Sequence, residues 1–152
     1  MALALSGKVA LVTGSSRGIG AAIVKRLAAD GATVVINYVH TAEAAQELAD
    51  AINAENRGRA VTIQADMSSV AEGSRIVEET VRRLGRLDVL VLNAGYAEGQ
   101  TLETLTEVEY DKQFTTNVKV PLFMVQSAVK HLQPGIPFFN HLITFISLTY
   151  NR

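Results

Sequence analysis

Apolar residues arrive along this chain in short blocks that are alternately continuous and periodic. Residues 8–13, "KVALVT", form a β-branched run closed by a glycine, which predicts a buried strand. In "GIGAAIVKRLAADG", residues 18–31, Ile19, Ile23, Leu27 and Ala28 share one helical stripe and Gly31 supplies a stop. The alternation continues with a strand at 32–38 ("ATVVINY"), a helix at 41–56 and a strand at 59–65 ("RAVTIQA"). Ser69 and Glu72 make an S-x-x-E capping box for a third helix that should end near Gly85. A fourth strand, "LDVLVLNAG" at 87–95, runs into another glycine. Thr106 and Glu109 form a second capping box, with Leu105 and Tyr110 placed as its hydrophobic staple. The helix it starts is long: Tyr110, Phe114, Asn117, Pro121, Val125, Ala128 and Leu132 recur on what should be one buried face. Pro121 should kink that helix without ending it, and Pro134, Gly135 and Pro137 should break it.

Continuous apolar strands separated by amphipathic helices predict an α/β protein with a parallel sheet covered on both faces and right-handed crossovers. A chain of 152 residues is about one domain. With 48% hydrophobic against 19% charged residues it can fill a core and is not a disordered segment. Fourteen basic against fifteen acidic residues leave no basic surface for nucleic acid, and the lack of cysteine rules out disulfides, thiolate metal sites and a cysteine nucleophile. The start, "MALALSGKVALVTG", has no basic leader or cleavage site, so a cytoplasmic protein is expected, and no apolar run is long enough to span a bilayer.

Chemistry concentrates where strands meet helices. "TGSSRGIG", residues 13–20, sits at the first strand-to-helix turn, where free amides and the positive end of the helix dipole can hold a pyrophosphate. Glycine there allows a tight turn and a close approach of phosphate oxygens. The spacing is G-x-x-x-G-x-G. Together with "NAG", Asn93 to Gly95, it resembles the classical short-chain dehydrogenase/reductase family over about residues 5–133. The stretches "VVINYVHTAEAAQEL" and "LGRLDVLVLNAG" are most similar to fungal-type carbonyl and polyhydroxynaphthalene reductases.

The resemblance implies a Rossmann-like doubly wound sheet of order 3-2-1-4, with a fifth strand possible only in the tail. It puts the dinucleotide on Gly14, Ser16, Arg17, Gly18, Ile19 and Gly20. The second strand ends "Asn37-Tyr38-Val39-His40-Thr41" without the carboxylate that would hold the adenosine ribose of NAD, and Arg17 can supply a cation to a 2′-phosphate. NADP(H) is therefore expected over NAD(H), with Asn37, Tyr38, His40 and Thr41 around the adenosine. Asp66 and Met67 should meet the adenine, and Asn93, Ala94 and Gly95 should line the cofactor. Asn117, an amide on an apolar face, needs a specific partner, since leaving it unpaired would cost about 1–3 kcal/mol. It matches the family's helix asparagine, which helps hold a water in a proton relay.

The family's catalytic pair is a tyrosine followed by a lysine four residues on, which lie on one helix face. Tyr150 has no such partner, because residue 154 is outside the sequence, and it follows Ser147 by three positions only. "LITFIS" could be a fifth strand with Ser147 near the family's serine, but from Gly135 onward the sequence departs from the pattern. The expectation is an NADP(H)-binding domain over residues 1–133 with a divergent tail at 134–152, a cofactor-binding half of a carbonyl reductase that does not turn over alone. The alternative is a non-catalytic dinucleotide-binding or interaction module that self-associates or pairs with full-length relatives. A methyltransferase-like domain fits the glycine spacing and "NAG" poorly.

Overall fold

The computed structural model of the chain describes residues 3–131 and, by backbone alone, Leu148–Thr149. Strands β1 (Val9–Val12), β2 (Thr33–Tyr38), β3 (Arg59–Gln64) and β4 (Val89–Val91) alternate with helices α1 (Gly18–Ala29), α2 (Ala42–Ala54) and α3 (Val70–Leu84). The strands form one parallel sheet in the order β3-β2-β1-β4. This is the expected α/β doubly wound arrangement. The alternation of side chains along each strand explains why both faces are apolar. Ala10, Val12, Val34 and Ile36 point to the face covered by α1 and α2, where Val24, Ala28, Leu48 and Ile52 meet them. Leu11, Val35 and Ile63 point to the other face, against Ile76, Val77 and Met124.

The helix ends follow their sequence signals. Ser69 Oγ accepts from the Glu72 amide at the start of α3, and Gly85 closes that helix in the left-handed conformation. The box is not reciprocal: the Glu72 carboxylate pairs with Arg75 and the Ser69 amide donates to the Asp66 carbonyl. In α1 the stripe is shifted. Ile19 is 63% exposed, and the fully buried positions are Gly20, Val24 and Ala28, because the first turn faces a cleft and not the core.

After β4 come a short strand β5 (Gln100–Thr101) that the pattern did not predict, α4 (Glu107–Phe114), a π-helical turn at Thr115–Lys119 and α5 (Val120–Val129). Thr106 Oγ1 accepts from the Glu109 amide as expected. Just upstream of Pro121, where a kink was expected, the helix carries the π turn. Proline has no N–H to donate and crowds the carbonyl four residues earlier, and a wider turn accommodates both. The inserted residue rotates the stripe. Gln113, Thr116, Asn117, Val120, Pro121, Met124 and Ala128 are buried, whereas Tyr110 is exposed and stacks on Phe114 with ring centroids 4.2 Å apart. The expected burial of Tyr110 is thus corrected by one wide turn. A Cβ on Gly73 would lie 2.8 Å from Val120 Cγ1 and 2.9 Å from Met124 Cγ, so the glycine lets α3 and α5 touch. On the outer side of this segment Val118, Leu122 and Val129 are exposed. Leu148–Thr149 (β6) pairs in parallel with β5 in a separate two-stranded ladder. Ser147 and the expected "LITFIS" strand lie outside the described residues.

Asp88 pins the sheet at the end remote from the cleft. Its buried carboxylate accepts from the Val9 amide (2.9 Å), Arg86 Nε (2.7 Å) and Lys8 Nζ (3.2 Å). Burial alone would push Asp88 up, but Arg86, the Val9 N–H and Lys8 together hold it below the ordinary carboxylate range. A depressed folded value means that the stabilisation is present above the unfolded value near 3.9 and disappears as pH falls through the folded one. Asp88→Asn is expected to cost about 1–3 kcal/mol at neutral pH. Urea melts should show that the difference from the parent shrinks below about pH 4.

Among the described residues, no helix is long and apolar enough to cross a membrane, and no group of three or more His, Cys, Asp or Glu side chains is placed to hold a metal ion.

Candidate functional site

The carboxyl ends of β1, β2, β3 and β4 open onto one cleft of about 690 Å³. Open α/β sheets bind ligands at this edge, where crossovers leave on opposite faces. Its floor is the turn from β1 into α1. Gly14 and Gly18 both have φ near +60°, the left-handed region that side-chain-bearing residues seldom occupy. Gly20 is ordinary in φ but crowded: a Cβ there would lie 2.6 Å from the Gly14 carbonyl oxygen and 2.7 Å from Asn93 Nδ2. The three glycines therefore have different jobs, two in shaping the turn and one in letting α1 approach it. The first amides of α1 have no partner inside the helix and sit at the positive end of its dipole.

Four polar side chains hold this floor in place. Thr13 Oγ1 accepts from the Asn93 amide (3.0 Å) and the Ala94 amide (2.9 Å), and Asn93 Nδ2 returns bonds to the carbonyls of Thr13 (2.9 Å) and Gly14 (3.1 Å). Asn37 is fully buried. Its Oδ1 accepts from the Gly14 amide at 2.9 Å, and its Nδ2 donates to the Ala65 carbonyl at 3.0 Å. Ser15 Oγ accepts from the Asn37 amide at 3.0 Å and donates to the Val12 carbonyl at 2.7 Å. Asn37, expected beside the adenosine, thus borders the cleft with its amide already spent on β1 and β3.

At the β2–β3 end stand Arg17, Tyr38, His40 and Thr41, with Asp66 and Met67 across from them. Thr41 occupies the cap position of α2 but makes no capping bond there; its hydroxyl is 2.8 Å from Ser16 Oγ, joining the glycine turn to the end of β2. Arg17 is exposed. Asp66 Oδ1 accepts from the Ser68 amide at 2.8 Å, a turn that fixes the carboxylate at the cleft's edge while leaving it further acceptor capacity. Met67 is 5% exposed and packs into the core behind, so only a small part of it borders the cleft.

At the β4 end the cleft is bounded by Asn93, Ala94, Gly95, Tyr96, Lys112 and Thr116. Asn117 reaches this edge from the π turn and grips one residue by both backbone groups: Oδ1 accepts from the Tyr96 amide and Nδ2 donates to the Tyr96 carbonyl, each at 2.8 Å. Its side-chain amide is therefore a clamp on the segment after "NAG". Pattern reading missed Thr13, Ser15, Tyr96, Lys112 and Thr116. Thr13 and Ser15 lie inside the glycine motif but carry no signal of their bracing bonds, while Tyr96 and Lys112 are sixteen positions apart with no periodicity to link them.

With this geometry in view, the class is defined: residues 8–136 match the family model described as short chain dehydrogenase, and the chain belongs to that family. Among curated relatives it is similar to a hydroxynaphthalene reductase of Aspergillus fumigatus, with 47% identity over 133 residues that cover 88% of this chain and 48% of that protein. The chain thus spans about half the length of the curated relatives it matches. Among solved structures it is similar to a short chain dehydrogenase from Burkholderia cenocepacia in complex with NADP, at 46% identity and a TM-score of 0.80, covering 84% of this chain and 52% of that one. It is also similar to a blue fluorescent protein from a metagenomic library in complex with NADPH, at 43% identity and a TM-score of 0.81, covering 86% of this chain and 53% of that one.

Proposed function

We propose that this chain binds NADP(H) in the cleft at the carboxyl edge of the sheet and is the cofactor-binding half of a carbonyl reductase. The observation that carries the reading is the pairing of an amide-lined glycine turn with an exposed Arg17 and a β2 end without carboxylate. The turn suits a pyrophosphate. Arg17 suits the 2′-phosphate that distinguishes NADP from NAD, and no acidic side chain on the Tyr38–Thr41 segment opposes it. That relatives of this fold are solved with NADP or NADPH supports the same choice. The hydroxynaphthalene reductase likeness supports a ketone or quinone-like carbonyl as substrate for the whole protein.

Bound NADPH would supply hydride, and the chain's own part is to grip and orient it. The glycine turn takes the diphosphate, Ser16 and Thr41 brace the adenosine side, and Asn93 with Thr13 keeps the β4 edge at a fixed distance from the turn. No tyrosine in the 152 residues stands four positions before a lysine. We therefore expect saturable NADPH binding without NADPH oxidation when ketones are added. A second reading, a dinucleotide-binding module that pairs with longer relatives, shares this binding behaviour and would be marked by a co-purifying partner. Fluorescence titration tests the cofactor choice: Arg17→Ala should raise the Kd for NADPH about tenfold and that for NADH by less than about twofold. Equal losses for both coenzymes would remove Arg17 from the phosphate site.

A further inference from the structure

The β4 end of the cleft carries a polar cluster that no motif announces. Lys112 Nζ donates to the Tyr96 hydroxyl oxygen at 2.6 Å and lies 4.1 Å from the centroid of the same ring. The Tyr96 hydroxyl hydrogen is within reach of the Glu98 carboxylate and of Glu109 Oε2, the latter at 3.0 Å. Tyr96 and Lys112 line the cleft beside Gly95 and Thr116. The backbone of Tyr96 is held independently by Asn117, so these side chains can be changed without releasing the segment that bears them.

Resting on the NADP(H) reading above, the direction of the dinucleotide follows from the strand order. With its diphosphate on the central glycine turn and its 2′-phosphate toward Arg17 at the β2 end, the other half must run toward β4. There it meets Tyr96 and Lys112. A nicotinamide riboside offers a diol and a carboxamide, all able to accept from an ammonium that has three donors and spends one on Tyr96. Lysine normally loses much rotamer freedom when it is fixed, and the tether to Tyr96 removes part of that loss before the ligand arrives. The geometry points to Lys112 as a binding residue for the nicotinamide–ribose half of the coenzyme, with Tyr96 as the residue that positions it. The pair is not a substitute proton donor. Glu98, accepting the phenol's hydrogen, and Glu109 raise Tyr96 above its ordinary value against the opposing pull of Lys112, which leaves it a poorer acid than free tyrosine.

The test compares two ligands on the intact 152-residue chain: NADPH, and 2′,5′-ADP, which carries the adenosine half alone. Lys112→Gln should weaken NADPH about fivefold and Tyr96→Phe about threefold, with 2′,5′-ADP unchanged for both, while Lys112→Arg should stay within about twofold of the parent. Unchanged NADPH affinity in Lys112→Gln, or equal weakening of both ligands, would overturn the assignment. Failure of the parent chain to bind either ligand would instead strike the dinucleotide reading itself.

Discussion

Replacing Gly20 by valine is expected to abolish NADPH binding and to lower the stability of the ligand-free chain at the same time. The new Cβ would sit 2.6 Å from the Gly14 carbonyl oxygen, 2.7 Å from Asn93 Nδ2 and 2.7 Å from Ser15 Cα. Two of these are backbone atoms and cannot swing aside, so α1 must back away from the turn. Overpacking of this kind costs about 3 kcal/mol or more where the neighbours are rigid. Gly18→Val provides the contrast. A Cβ at Gly18 meets nothing within 4 Å, so the penalty in the free protein is confined to its left-handed φ of 57°, roughly 1–2 kcal/mol. Its side chain would stand beside the diphosphate position, and binding should fall far more than stability. Urea denaturation beside NADPH titration separates the two. If Gly20→Val melts like the parent, the close approach of α1 to the turn is not required for folding.

Asn37→Leu is expected to produce the second large effect, and in the ligand-free chain. The side chain is of similar size, but the Gly14 amide and the Ala65 carbonyl each lose their bond to a side chain that is itself fully buried. Leaving two such groups unsatisfied costs about 2–4 kcal/mol. NADPH affinity should fall as well, because the Gly14 bond is one of the ties between the glycine turn and β2. A residue that only touched the coenzyme would behave differently: binding would drop while the urea midpoint without ligand stayed put. That second pattern would return Asn37 to the role of a direct contact.

The pattern of apolar blocks was sufficient for the sheet, because a strand buried on both faces must be continuously apolar and few other structures produce that signal. The glycine turn was legible for a similar reason. Glycine reaches φ near +60° at the least cost, so Gly14 and Gly18 mark the turn in the bare sequence. The long helix was legible at its start but not in phase, and its expected break at Pro134, Gly135 and Pro137 lies outside the described residues. Its periodicity assumed 3.6 residues per turn throughout, and the π turn at Thr115–Lys119 moved Tyr110 outward while keeping Asn117 in. For Asn117 the need for a partner could be argued from burial cost, but the partner, both backbone groups of Tyr96, is twenty-one residues away and could not.

By itself, then, the chain's sequence determined where the four strands and three helices of the parallel sheet lie and where the tight glycine turn falls, since periodicity and glycine conformation are local properties. Tertiary structure alone decided which polar side chains brace that turn and which face the ligand. Thr13 and Asn93, Ser16 and Thr41, and Tyr96 and Lys112 meet only because parallel crossovers bring distant strand ends to one edge. A hydrogen bond depends on distances of a few tenths of an ångström that no residue carries in its identity.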